Sequence, residues 1–262
     1  MPTAVISDVH ANAEALKTVL ADISRRGITR IISLGDIIGY GPDPLECVDL
    51  VRQHCQWSLM GNHDFGVLYE PTNFNPGAEQ AAYWTRAQFD QEKDDTLRDQ
   101  RYDFLGRLRV RVLETPPDGN LSVLAVHGSP RRPINEYIFP DDIMQAPDKV
   151  TTIFERVPNL CVVGHTHVPG VFCDEGGNGP DFFPPGELTD MSFKFVAGEK
   201  AIINVGSVGQ PRDLDPRACY VILHPDRVQY VRVEYNIAVT ANKIKRIPEL
   251  IDWLGDRLYD GR

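Results

Sequence analysis

Five short apolar runs in this chain stop at the same kind of residue. TAVIS (3–7) runs into Ser7-Asp8-Val9-His10, and RIISL (30–34) into Gly35-Asp36. QWSLM (56–60) runs into Gly61-Asn62-His63-Asp64, LSVLAV (121–126) into His127-Gly128, and NLCVV (159–163) into Gly164-His165-Thr166-His167. Short apolar runs bounded by glycine and polar residues read as buried strands. The first three alternate with helical signals. Leu16, Val19, Leu20 and Ile23 share one face of 12–25, Gly27 marks its end, and a second helix is expected at 44–54 after the GYGPDP loop. A β-α-β-α-β order favours a parallel sheet covered by helices. Ligands of such sheets sit beyond the carboxyl ends of the strands. Side by side, these strands would bring all five turns to one edge.

The rest of the chain extends that frame. Residues 66–118 are polar, with helical patterns near 77–91 and 95–108, and read as a helical insertion over the sheet. Strand signals return at 109–114, a helix is expected near 147–156, and DEGGNGPDFFPPGE (174–187) reads as a long loop within a 173–200 loop or hairpin insertion. Strands are expected near 192–197, 200–204, 218–223 and 227–235, and closing helices at 237–246 and 248–258. There is no internal repeat and no linker of about 15 residues or more, so 1–262 reads as a single α/β domain.

The residues gathered at the strand ends are two Asp, one Asn and several His. Five of the seven histidines fall in these motifs, leaving His54 and His224 elsewhere. A lone His-x-His pair is usually a loop detail, but these histidines collect where strands end. An oxygen-plus-imidazole set without thiolates suits Mn²⁺, Fe, Zn²⁺ or Ni²⁺. Its size suggests two ions, about 3.5–4 Å apart in sites of this kind.

Composition narrows the function. Lys+Arg 27 against Asp+Glu 37 gives a net charge of −10, and no basic tract is present to grip a nucleic-acid backbone. An anionic substrate would need a local positive site, which metal ions supply. Mean hydropathy is −0.27, and no apolar run approaches the roughly 18–20 residues of a membrane helix. MPTAVISDVH lacks the charged and apolar regions of a signal peptide. Cys47, Cys55, Cys161, Cys173 and Cys219 form no C-x-x-C pair, which fits reduced thiols. A cytoplasmic location is expected.

Asp8-x-His10, Gly35-Asp36, Gly61-Asn62-His63-Asp64, His127 and Gly164-His165-x-His167 resemble, in order and spacing, the calcineurin-like metallophosphoesterase superfamily. GDIIGYGPDPLEC (35–47), HGSPR (127–131), VGHTHVP (163–169) and NVGSVGQPRD (204–213) resemble its YfcE-like phosphodiesterase branch, which includes enzymes splitting diadenosine polyphosphates. One departure is Ala11, where that branch usually carries glycine.

The resemblance implies a metallophosphoesterase-type β-sandwich of two mixed sheets flanked by helices. It implies that Asp8, His10, Asp36 and His167 hold one divalent ion, and that Asp36, Asn62, His127 and His165 hold a second, with Asp36 bridging. Mn²⁺ is the favoured ion; Fe, Ni²⁺, Zn²⁺ and Mg²⁺ are the others considered. In an extended segment residues i and i+2 point the same way, so His165 and His167 would serve adjacent ions. Two divalent charges would make a shared water acidic enough to attack phosphorus. His63 is the candidate general acid or transition-state donor, with Asp64 expected to hold its other ring nitrogen. Arg212 and Arg131 are candidate phosphate forks; Arg132 and Arg217 are weaker ones. Gly206-Ser207-Val208-Gly209 and Tyr40 are expected near the substrate. Tyr69, Phe74, Tyr83, Trp84 and Phe89 are candidates for stacking on a base. The expected function is hydrolysis of a phosphodiester or nucleoside polyphosphate, with a small, nucleotide-like phosphorylated partner. The alternatives are a Ser/Thr-type protein phosphatase and a non-catalytic metal-binding scaffold.

Overall fold

Val5, Ile32 and Leu59 point one way from their backbones; their neighbours Ala4, Ile6 and Ile31 point the other. That period-two alternation, buried on both faces, places a sheet between a second sheet and a layer of helices. The computed structural model of the chain describes residues 1–115, 121–174 and 179–262.

The first sheet holds β1 (Thr3–Ile6), β2 (Arg30–Ser33) and β3 (Trp57–Ser58) in parallel. The second is built on β4 (Arg111–Glu114), β5 (Val123–Val126), β6 (Leu160–Val163), β7 (Gly170–Asp174) and β8 (Pro180–Phe183). The chain continues with β9 (Ser192–Lys194), β10 (Ala201–Asn204), β11 (Ala218–Leu223) and β12 (Arg227–Val233). The strand orders are β3-β2-β1-β11-β12-β9 and β4-β5-β6-β10-β7-β8. In the second sheet β5, β6 and β10 run parallel, and β4, β7 and β8 pair antiparallel. Two mixed sheets of six strands are thus flanked by helices.

Between the sheets lie Val5, Ile32, Leu34 and Val221 from the first and Ala125, Leu160, Val162 and Ile203 from the second. Each of the valine, isoleucine and leucine side chains, fully buried, contributes about 1.5–3 kcal/mol. On the outer face of the first sheet lie α1 (Ala13–Arg25) and α2 (Pro44–His54). α1 starts where Asn12 accepts from the Ala15 amide, and it buries the four apolar residues expected from its periodicity. Next come α3 (Asn62–Leu68), α4 (Pro76–Asp90) and α5 (Asp95–Gly106). Asn75 and Asp94 cap the last two, and Phe89 and Leu105 dock them on the α1 side of the first sheet. α6 (Asp142–Gln145) and α7 (Pro147–Phe154) follow; α7 covers the outer face of the second sheet through Val150, Ile153 and Phe154. α8 (Ile237–Lys245) and α9 (Trp253–Asp260) pack beside α4.

Within the expected 173–200 loop or hairpin insertion, residues 180–183 of the stretch read as a long loop form a strand. β7 and β8 pair from Val171–Phe183 to Asp174–Pro180. Pro180 opens the edge strand, a position where a missing amide costs little. Residues 175–178 of that stretch lie outside the described residues, as do residues 116–120 at the end of the expected helical insertion.

Candidate metal centre

β1, β2, β3, β5 and β6 deliver their carboxyl ends to one edge of the sandwich. Asp8, His10, Asp36, His127, His165 and His167 are all buried there. Two of the compact donor groups are Asp8-His10-His167 and Asp36-His127-His165; a third, His10-Asp36-His63, overlaps both. Asp36 lies between the first two. One carboxylate oxygen is 3.6 Å from His10 Nε2 and 3.3 Å from His127 Nε2. The other accepts from the His63 amide at 2.8 Å. Asn62 Oδ1 is 3.2 Å from His127 Nε2.

The backbone around the donors is strained. Asp8, His10, Ala11, Asp36, Tyr40, His165 and His167 all have positive φ, between 47° and 67°. For residues with a Cβ this costs of order 1–3 kcal/mol each and clusters at functional sites. It also corrects the expected geometry of the His pair. His165 and His167 do not alternate along an extended strand. They sit in a tight turn closed by Thr166 N–H donating to Gly164 O at 2.8 Å, and the turn sends His165 to the Asp36 group and His167 to the Asp8 group. Motif glycines leave room for the carboxylates. A Cβ on Gly61 would lie 2.0 Å from Asp36 Oδ1, and one on Gly164 would lie 2.4 Å from Asp8 Oδ2.

A second ring of groups fixes the imidazoles. His167 Nδ1 donates to Gln210 O at 2.6 Å and His127 Nδ1 to Leu34 O at 3.0 Å, turning both Nε2 lone pairs inward. His10 Nε2 meets His167 Nε2 at 3.1 Å, and His127 Nε2 meets His165 Nδ1 at 3.2 Å. Among the described residues, His10 Nδ1, His63 Nδ1 and His165 Nε2 are buried without partners. Converging unshared pairs beside two carboxylates and one amide oxygen, with no thiolate, fit divalent cations. Without a cation, charge settles on one pair. Burial opposes the His127 charge, but Asp36 overrides it and holds the imidazolium up to about 9. Asp36 stays ionised despite burial, chiefly because the His127 charge stabilises it. His63 and His165 are pushed down by burial, to about 4 and about 3.

Asp64 does not hold His63. Its carboxylate accepts from the amides of Ile37 at 2.9 Å, Ile38 at 3.3 Å and Gly61 at 3.0 Å. It stands in the first turn of α3, where a carboxylate reaches back to free amides, and a helix turns consecutive side chains about 100° apart. Burial, then the neighbouring Asp36 charge, push it up to about 7. Arg131 is claimed by Glu136, which accepts from Ser129 as well. Arg217 pairs with Asp215. Arg212 faces the site, its guanidinium on Gln210 Oε1 and 5.9 Å from the centre of the Tyr40 ring.

A cavity of about 200 Å³ opens beside the donors, walled by Tyr40, His63, Phe74, Asn135, Tyr137 and His165 among others. Of the five insertion aromatics, Phe74 alone lines it, 4.6 Å from the His63 ring. Phe89 is core, Trp84 packs toward α9, and Tyr69 and Tyr83 are exposed. Sequence reasoning missed Tyr137, stacked on His165 at 3.8 Å and 10°. It also missed Asn204, whose amide donates to Gly164 O and Thr166 Oγ1 and so holds the His165–His167 turn. Asn204 stood at the end of an apolar run as the other site residues do; Tyr137 left no comparable signal. Val208 and Gly209 come to the site by backbone, donating to Ser7 O and Asp8 O.

An α/β sandwich that collects carboxylates and imidazoles from parallel strand ends into touching buried groups is a hydrolase scaffold able to hold metal. The calcineurin-like phosphoesterase superfamily domain matches residues 1–227. The chain is 39% identical to uncharacterized protein MJ0912 of Methanocaldococcus jannaschii over 266 residues, spanning 99% of this chain and 98% of that one. A metallophosphoesterase from Sphaerobacter thermophilus is also 39% identical, with full coverage of both chains and a TM-score of 0.78. The hypothetical protein PH1004 from Pyrococcus horikoshii OT3 shares the fold at 18% identity and a TM-score of 0.73, covering 100% of this chain and 98% of that one. The chain belongs to the calcineurin-like phosphoesterase superfamily.

Proposed function

We propose that the protein is a metal-dependent phosphoesterase that hydrolyses a phosphodiester or nucleoside polyphosphate, as the YfcE-like resemblance implies. The observation that carries this reading is the pair of buried donor groups that meet at Asp36. Asp8, His10, Asp36 and His167 would hold one divalent cation, and Asp36, Asn62, His127 and His165 the other, with Mn²⁺ favoured. Such cations supply positive charge that makes water nucleophilic near neutral pH and neutralises phosphate oxygens.

The chain's own groups set the rest. Gln210 and Leu34 carbonyls orient His167 and His127. His63 is buried beside both donor groups, has no carboxylate on its Nδ1 among the described residues, and is neutral at pH 7. It therefore serves as an N–H donor to a phosphoryl oxygen. Arg212 adds a fork for phosphate. The cavity beside the donors, of about 200 Å³, is walled by Tyr40, Phe74 and Tyr137, aromatic rings that suit a nucleotide base. No helix of the described residues is long and apolar enough to cross a membrane. Cys47, Cys55, Cys161 and Cys219 are free thiols, which supports placing the protein in the cytoplasm.

The test is a panel with Mn²⁺-loaded protein: bis-p-nitrophenyl phosphate, dinucleoside polyphosphates and a phosphoserine peptide. A diester or polyphosphate should exceed the peptide in kcat/KM by at least about tenfold, some 1.4 kcal/mol of transition-state discrimination. A peptide turned over as fast would favour the protein phosphatase reading. No turnover of any ester would favour the scaffold.

A further inference from the structure

Asn62 and His63 enter the centre on α3, a helix of seven residues. Two turns do not hold themselves: isolated helices shorter than about 12–15 residues are marginal in water. The last carbonyls of a helix also lack intrahelical donors. α3 runs into Tyr69 and Glu70, neither of which takes the left-handed backbone that commonly closes a helix. Its placement therefore depends on what the rest of the chain fastens to it.

The first turn is tied to the loop after β2. Asp36 accepts from the His63 amide, and Asp64 from the amides of Ile37 and Ile38. The far end is held by one side chain of α4. Arg86 Nε donates to Val67 O at 2.6 Å, and its Nη2 donates to Gly66 O at 3.1 Å and to Tyr69 O at 2.6 Å. Among the described residues, every side-chain hydrogen bond of Arg86 goes to this helix end. The guanidinium presents its donors in a rigid fork, and its charge meets the negative end of the helix dipole. The grip reaches His63 by a short path. His63 and Gly66 are three apart and share a helix face. A Cβ on Gly66 would lie 3.0 Å from the Phe74 ring, and that ring stands 4.6 Å from the His63 ring. Phe74 directly precedes Asn75, the cap of α4, so Phe74 and Arg86 close on α3 from the same insertion.

We propose that Arg86 is a positioning residue: by holding the carbonyl end of α3, it sets the place of His63 beside Asp36. This rests on the phosphoesterase reading and gives the helical insertion a part in it. Arg86 is outside the walls of the cavity beside the donors, so it acts through His63 and not on the substrate. A lysine there keeps the charge but not the fork, because its ammonium is a compact point charge on a flexible stem.

The experiment is a double-mutant cycle on kcat for bis-p-nitrophenyl phosphate at saturating Mn²⁺, with native protein, Arg86→Gln, His63→Ala and the double variant. Melting temperatures check folding. Arg86→Gln should lower kcat at least about tenfold, since a small misplacement of a reacting group is that costly, and Arg86→Lys should recover part of the loss. In the His63→Ala background the same change should cost less than about twofold, because its effect passes through a ring that is gone. Equal losses in both backgrounds overturn the proposal, since they mark a structural role independent of His63. A kcat of Arg86→Gln within about twofold of native also overturns it. If Arg86→Gln does not fold, Arg86→Lys takes its place in the cycle under the same two criteria. If the native protein hydrolyses no ester, the phosphoesterase reading has failed instead, and the imidazole C–H NMR signals of the metal-free protein test the positioning alone. Arg86→Gln should shift those of His63 and leave in place those of His127 and His167, which other carbonyls hold. Unmoved His63 signals, or equal shifts of all three rings, overturn it.

Discussion

His63 enters the centre from the first turn of α3, and its chemistry depends on what does not touch it. Among the described residues no carboxylate reaches its Nδ1, and Asp64 is spent on three backbone amides. His63→Ala should therefore keep the metal and lose turnover by about 10²–10⁴. A neutral N–H donor predicts a similar loss for good and poor leaving groups. Rate measurements on a leaving-group series check this; a loss that grows with leaving-group pKa would show proton transfer by an imidazolium. His127 makes a second prediction. Its native pKa, about 9, exceeds the ordinary 6.5. The Asp36 pair thus stabilises the metal-free fold fully below pH 6.5, and that contribution is lost as pH rises toward 9. In chelator, the urea midpoint should fall across pH 6.5–9, and His127→Gln should flatten the fall. With Mn²⁺ the slope should reverse, because ligation requires the deprotonated ring. A native midpoint that is level in chelator contradicts the Asp36–His127 pairing.

Among the elements, the loops after the strands carry the precision. Gly209 shows how little room they have: a Cβ there would lie 1.7 Å from Val9 O. Gly209→Ala should cost about 1–3 kcal/mol by overpacking and displace the turn bearing Asp8 and His10, read as a lowered melting temperature with weakened metal binding. A variant as stable as native would contradict this packing. The strands themselves and the Leu16-Val19-Leu20-Ile23 face of α1 were legible because burial writes a period into sequence. So were the donors, because each stands directly after an apolar run. What sequence hid is three-dimensional. It did not show that His165 and His167 adopt left-handed backbone, since periodicity describes regular elements and these lie in a turn. It did not show that Asp64 faces the 37–38 amides or that Arg131 is claimed by Glu136, because partner choice depends on contacts between segments. A loop or hairpin was expected over 173–200, but the strand at 180–183 was obscured by flanking glycine and proline that read as loop.

At the scale of the molecule, two six-stranded sheets pack so that the carboxyl ends of parallel strands from both meet at one edge. β1, β2 and β3 of the first sheet supply Asp8, His10, Asp36 and Asn62. β5 and β6 of the second supply His127, His165 and His167. The centre exists only when the sandwich is closed, so metal binding and folding are coupled. Asp36 joins the two halves: its oxygen lies within 3.6 Å of His10 and 3.3 Å of His127. The most direct measurement is metal content after chelation and reconstitution with Mn²⁺, for native protein and Asp36→Asn. The account predicts close to two ions per chain in the native protein and a loss of at least one in the variant, with phosphoesterase activity falling in step. Saturation at one ion or fewer, or a stoichiometry that Asp36→Asn leaves unchanged, would contradict it.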